Sequence, residues 1–562
     1  MRINFEKINT ICIVAGYKGA IDFLIKFVLP VMGSVILISL LIGFIGDPIP
    51  GYMGILIFVI GAVFVFGYPL MEYNSIKQNI NNHLHYFITY SGTISTMKIN
   101  RLLFFRKISE KTIFGKISDV FQRILYMSKR WNLGYAPSCR IMVRRTPSAA
   151  LADFLDRLAI VMDFGQDLEV FLYDEQKAVL DDYQVEYTKS LETIKMLQEL
   201  FIAVTVSFSF LLGILLLAPL LLEVRVEDVL LFAILGLFVI DAGLIFAINS
   251  FIPKDRLAAE FDKKNLAQQK IRLYFFITLG ISALLIPLLL IFTGLNVVVA
   301  IAIGLLPLAY PALLANQEEE RINKRDKQFP VYSRVLGSAI QVRNGGVVSA
   351  LQSTQSHDFG VLNDMSISLY RRLRLGSDKF KSWYLFAVDC GSNLIANFSK
   401  IFNESIYLGG NAEKVGEIVS KNMTRLLSLR KLRQQIAGGL RGAFYGSVIG
   451  LVSVVYISAR VSQALIDLFS APEDNQEIAE FIQGIVPDAV GVNFELVLIY
   501  IALLIIVQAI TSAVIMKIVD GGLIYGALLD FIMLVWIGAA LSLVLPPLVD
   551  TVLPDFSGIW DT

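Results

Sequence analysis

Few residues in this 562-residue chain are of types that do chemistry, and their spacing is unpromising. His83 and His85 flank Leu84. A spacing of two puts both rings on one face only of a strand, so they read as surface polar residues rather than a metal pair. His357 stands alone. The three cysteines, Cys12, Cys139 and Cys390, are odd in number and scattered, giving neither a disulfide framework nor a zinc spacing. No Gly-x-x-x-x-Gly-Lys-Ser/Thr phosphate loop occurs. No serine, cysteine or threonine sits in an activated arrangement, and Asp181-Asp182 reads as solvated helix. The chain shows no catalytic site and asks for no metal or cofactor, so it reads as a scaffold rather than an enzyme.

Its conspicuous chemistry is clustered positive charge. Arg144 and Arg145 form one group, and Arg371, Arg372, Arg374, Lys379 and Lys381 a second. Lys421, Arg425, Arg430, Lys431, Arg433 and Arg441 form a third, just before a hydrophobic run. Bases beside a bilayer attract anionic headgroups by about 1 kcal/mol each, which suits the third group. Bases far from the membrane in sequence suit docking of an acidic protein partner, which fits the second group. Nucleic acid is not expected as a partner, because aromatic interleaving and known motifs are missing. Within the hydrophobic runs the clear polar residues are Asp241, Gln508 and Asp530. Two isolated carboxylates are too few for a proton path. They are read as interhelical hydrogen-bonding groups, Asp530 reaching towards Gln508.

The elements that carry these groups are mostly membrane helices. The chain is 55% hydrophobic and only 17% charged, with a mean hydropathy of +0.64, against about a quarter charged in an ordinary soluble domain. Runs long enough to cross a bilayer number nine, at about 23–45, 51–72, 199–222, 229–251, 273–294, 296–315, 442–463, 495–517 and 523–546. No cleavable signal peptide is expected. The fold class is therefore an all-α, polytopic integral membrane protein. Lys and Arg set the orientation. The blocks 73–198 and 316–440 carry about 17 and about 18 of them, and the connector 253–272 adds more. The outer loop 470–494 has five acids and no base. The amino terminus and both blocks are thus expected in the cytoplasm, and the carboxyl terminus outside. Five segments follow: 1–72 with two spans, the first block 73–198, four spans in 199–315, the second block 316–440, and three spans in 441–562.

The two blocks look like one helical module written twice. Phe114-Gly115 recurs as Phe359-Gly360, Ser91-Gly92 as Leu336-Gly337, Ala152-Asp153-Phe154 as Ala396-Asn397-Phe398, and Phe164-Gly165 as Leu408-Gly409. The offset stays near 245 residues. Apolar spacing over Leu151–Tyr173 is helical, broken at Gly165. Long helices are expected over Glu175–Leu200 and Ala412–Leu440, each running straight into a span. Two small helical bundles hanging from the membrane are the expected outcome. A secondary transporter, the rival reading, places its repeats within the spans instead.

Thr146-Pro147-Ser148 followed by Ala152-Asp153-Phe154-Leu155-Asp156-Arg157, then Phe171-Leu172 and Glu175-Gln176, resembles the first cytoplasmic domain of the archaeal branch of the type II secretion F family. Asp358-Phe359-Gly360, Gly391-Ser392, Gly409-Gly410 and Leu429-Arg430 resemble the second. The resemblance covers nearly the whole chain and is nearest to the archaellum platforms, with adhesion-pilus platforms as the neighbouring alternative. It implies a membrane platform under a filament of pilin-like subunits, working with other motor components and a cytoplasmic hexameric ATPase. A homodimer and contacts with membrane lipids are also expected. The first two basic groups then become candidates for the ATPase interface.

Overall fold

The computed structural model describes residues 5–14, 17, 19–33, 36, 52–97, 100–216, 226–259, 261, 266–344, 346–469 and 494–552. The outer loop 470–493, the last ten residues and about half of the first expected span lie outside them. The described residues are helical, with one isolated β-bridge between Ala258 and Ser392.

Two helices open the chain, α1 (Phe5–Val14) and α2 (Ala20–Phe23). The first module then begins with α3 (Tyr52–Ile94), whose amino-terminal half coincides with expected span two. Four short helices follow: α4 (Arg101–Ser109), α5 (Lys116–Arg130), α6 (Tyr135–Val143) and α7 (Ala149–Phe164). Buried Ser148 caps α7 by accepting from the Leu151 amide, and Gly165 at φ 68° ends it in the left-handed region. Asp167 caps the next helix, α8 (Leu168–Leu215), which runs 48 residues without interruption into the third span.

Membrane helices α9 (Val226–Phe251), α10 (Leu266–Phe292) and α11 (Val297–Gly304) come next. A 3-10 turn containing Pro307 separates α11 from α12 (Ala309–Val342), so the sixth span is broken where proline cannot donate. The second module repeats the first: α12, then α13 (Val347–Thr354), α14 (Asn363–Arg374), α15 (Lys379–Cys390) and α16 (Asn393–Tyr407). It ends in α17 (Ala412–Phe469), a single helix of 58 residues. Membrane helices α18 (Phe494–Asp520) and α19 (Ala527–Val552) close the fold. Seven helices among the described residues are long and apolar enough to cross a membrane, and they fall on expected spans three to nine.

The repeat read from sequence has structural counterparts. Gly115 and Gly360 both hold positive φ, 53° and 54°, ahead of α5 and α14. Ser392 caps α16 through the Ile395 amide as Ser148 caps α7. The two copies do not hang separately, however. The long helices α3, α8, α12 and α17 pack against one another, with α17 touching the other three. Asn422 on α17 donates to Thr89 Oγ1 at 3.0 Å and Gln176 Oε1 at 3.3 Å. Ser405 donates to Thr93 at 2.8 Å, and Lys111 pairs with Glu404 at 2.6 Å. Asp181, expected to be purely solvated, pairs with Arg425 across the same seam. Thr89 and Thr93 are buried; each hydroxyl donates to a carbonyl of its own helix and accepts from the second copy.

Gly337 sits where α12 crosses α17. A Cβ there meets the Ala412 carbonyl at 2.5 Å and the Gly416 Cα at 3.0 Å. Its repeat partner Gly92 faces only the flexible end of Gln176. Gly337→Ala is therefore expected to destabilise by about 1–3 kcal/mol through overpacking, and Gly92→Ala by clearly less. Thermal unfolding of the two detergent-solubilised variants measures this; equal effects contradict the close helix crossing.

Candidate functional site

The bases expected at the lipid headgroups have another role. Arg430 and Arg433 lie one turn apart on α17 and are 6% and 3% exposed. Arg430 grips Asp255 in the connector with two parallel bonds of 2.8 and 2.7 Å, and its third nitrogen reaches Asp326 of α12 at 2.7 Å. Ser392 donates to the other oxygen of Asp326. Arg433 donates to the carbonyls of Val519 at 2.6 Å and Ile518 at 2.9 Å, at the carboxyl end of α18. It also reaches Pro253 O at 3.1 Å and Asp255 O at 3.4 Å. A cation against the last carbonyls of a helix is favoured by the helix dipole. Gly521 follows at φ 79°, and a Cβ there lies 2.5 Å from the Arg433 guanidinium, so only glycine leaves room for it.

This junction extends along the membrane edge. Lys517 of α18 pairs with Glu319 of α12 at 2.7 Å, and Glu319 also accepts from the Leu523 amide at 2.6 Å. Arg441 contacts Asp520 at 3.2 Å and Asp530 at 3.5 Å, and Tyr445 donates to Asp530 at 2.8 Å. Asp530 is thus bound to α17, not to Gln508 as expected: the two lie on different helices and Arg441 offers the stronger partner. Gln508 is buried with neither amide atom hydrogen-bonded. Asp241 is fully buried and accepts from Thr511 of α18. Among the described residues no group of three His, Cys, Asp or Glu is placed to hold a metal ion.

The junction has a twin in the first copy. Ser148 donates to Asn81 Oδ1 at 2.6 Å, and Asn81 donates to Glu186 Oε1 at 2.8 Å. Asn81, Ser148 and Glu186 stand 244–245 residues before Asp326, Ser392 and Arg430. The same three positions are joined in both copies, but Asn replaces Asp and Glu replaces Arg. The first copy therefore lacks the cation that seizes Asp255. The constant offset was a signal for the two serines and their partners. Nothing in the sequence marked Asp255, one of three acids in a basic connector.

His85 also departs from expectation. It is 6% exposed and stacks beside Tyr86 and Tyr183, with ring centroids 3.9 and 5.1 Å away. The helical i, i+2 spacing separates it from the partly exposed His83. Burial, aided by the nearby Arg430 and His83 charges, pushes its pKa down to about 3, against the pull of Asp255. For Asp255, burial raises the pKa but Arg430 outweighs it, and the carboxyl sits below its ordinary value.

The remaining bases face solvent. Arg371, Arg374, Lys379 and Lys381 are exposed around the turn between α14 and α15. Arg372 is half-buried on Asp389 at 2.8 Å, and Lys379 stands 4.1 Å over the Tyr407 ring. Arg144 and Arg145 are exposed between α6 and α7 of the other copy, a different corner of the module. By element order the counterparts of Arg371–Arg374 are Lys129 and Arg130 at the end of α5. Lys421 and Lys431 are exposed on α17.

Two curated proteins align with almost the entire chain. Flagella accessory protein J of Methanocaldococcus jannaschii is 33% identical over 542 residues, covering 95% of this chain and 96% of its own. Flagella accessory protein J of Methanococcus voltae is 30% identical over 539 residues, covering 93% and 95%. This chain belongs to the flagella accessory protein J family. The resemblance carried by the ordered motifs of the two modules leads to the same group. No family model matches the chain, and no solved structure does.

For this flagella accessory protein J relative, the junction makes two quantitative predictions. Arg430→Ala strands two carboxylates and should destabilise by about 3–5 kcal/mol, whereas Glu186→Ala, at a half-buried hydrogen bond, should lose about 1 kcal/mol. Thermal unfolding in detergent measures both. His85 is neutral when folded and its pKa is depressed from 6.5, so the unfolded chain binds the extra proton. Its contribution is complete above pH 6.5 and declines as pH falls towards 3. Stability should drop by about 2 kcal/mol between pH 7 and pH 5 on this account, and His85→Phe should remove that part of the slope.

Proposed function

We propose that this membrane protein is the platform of an archaellum-type machine, seating a cytoplasmic ATPase and carrying its movement into the bilayer. The observation that supports this is α17. One uninterrupted helix holds the seam between the modules, the Arg430–Arg433 junction and a membrane span. A shift of the second module cannot be absorbed at a hinge there. Through Asp255 it pulls the connector after α9, and through Val519 and Ile518 it pulls the end of α18.

In this reading both modules and the amino terminus face the cytoplasm, as their Lys and Arg content suggests. The exposed corner of Arg371, Arg374, Lys379 and Lys381 docks an acidic face of the hexameric ATPase that the family resemblance implies. Pilin-like subunits are handled by the membrane helices, and two copies of the platform stand under one filament.

The test is binding of the detergent-solubilised full chain to the archaellum-type ATPase at low and high salt. Salt-sensitive binding is expected, because exposed charges lose most of their attraction beyond a Debye length of about 8–10 Å. Reversing Arg371, Arg374 and Lys381 to Glu should weaken it at least tenfold while leaving the protein folded in the membrane. Unchanged binding by that variant removes this corner as the docking surface.

A further inference from the structure

With Arg430 and Arg433 buried, the bases that face the membrane edge are those of the connector. Helix α9 ends at Phe251, α10 begins at Leu266, α18 ends at Asp520 and α19 begins at Ala527. An open cavity of about 860 Å³ lies among these four ends. Lys254, Arg256 and Arg272 line it, and all three are exposed. Lys254 is anchored through its backbone amide to Asn82 at 3.3 Å, and the Arg272 guanidinium rests over Phe276 at 5.8 Å. The one carboxylate among the described lining residues is Asp255, already neutralised by Arg430. The other side of the cavity is apolar, with Ile271, Ile518 and Ile524; Ile524 is 82% exposed. Beyond it the outer face of α10 presents Leu273, Ile277 and Leu284.

We propose that this cavity is a binding site for an anionic phospholipid, with the phosphate held by Lys254 and Arg272 and an acyl chain running down the apolar face of α10. The occupant follows from the juxtaposition. Net positive charge sits at the level where membrane helices end, directly above exposed apolar surface. Basic pockets between membrane helices on the cytoplasmic side recognise lipid headgroups by this arrangement. A soluble phosphate satisfies the bases but leaves the apolar wall bare. The site is independent of ATPase docking, since it shares no residue with the exposed corner at 371–381. A bound lipid also packs against the connector that Arg430 grips.

Native mass spectrometry of the detergent-solubilised full chain tests this, with phosphatidylglycerol, phosphatidylcholine and inorganic phosphate as probes. Retained phosphatidylglycerol adducts, weaker phosphatidylcholine adducts and no displacement by inorganic phosphate are expected. The variant K254A/R272A should lose phosphatidylglycerol affinity on the order of tenfold, while K129A/R130A, two exposed bases of the first module, should not. Should the double variant fail to fold, a photoreactive phosphatidylglycerol added to the unaltered protein in vesicles decides instead. Cross-linked peptides should contain Lys254 or Arg272. Equal binding of the two lipids, displacement by inorganic phosphate, full binding by the double variant, or cross-links confined to other segments each overturn the proposal.

Discussion

Arg430 holds two carboxylates that come from different parts of the chain, partly buried Asp255 in a connector between membrane helices and fully buried Asp326 in the second module. Three charges with so little access to water are tolerable only together. Their attraction offsets desolvation because every guanidinium nitrogen has a carboxylate oxygen in line. Remove the cation and two anions remain inside the protein. The relative position of module and membrane is therefore fixed by a constraint that does not relax gradually. Arg433, one turn on, applies the same logic with backbone carbonyls as acceptors, and Gly521 leaves the space it needs.

Duplication gave the molecule two copies of this arrangement, and they diverged. In the first copy Asn81 and Glu186 stand where the second has Asp326 and Arg430, and the network closes on itself with hydrogen bonds at 2.6 and 2.8 Å. In the second copy the network reaches out to the connector. One module is thus tied to the membrane helices by charge. The other is tied to its twin through Thr89, Thr93 and the Arg425–Asp181 pair. Helix α17 contacts the long helices of both copies and continues into a segment long and apolar enough to cross a membrane.

Two of the bases nearest the seventh span in sequence turn inward, because α17 is flanked there by α12, α18 and the connector. The connector's Lys254, Arg256 and Arg272 are exposed.

The sequence by itself determined the all-α membrane class, spans three to nine, the long helices entering spans three and seven, and the duplication. These follow from local causes. Apolar length sets a span, Gly165 ends a helix because its left-handed conformation excludes most side chains, and Ser148 caps the start of that same helix because its hydroxyl reaches an amide three residues on. Proximity to a hydrophobic run suggested headgroup contact for Arg430 and Arg433, and a two-residue gap suggested exposure for His85. Both inferences failed for one reason: burial of a polar group depends on what packs against it, and those partners are 104 residues away for Asp326 and 175 for Asp255. Tertiary structure alone decided that the modules fuse along one seam, that Asp530 answers Arg441 and Tyr445 instead of Gln508, and that buried Arg430 joins the second module to the connector between two apolar helices.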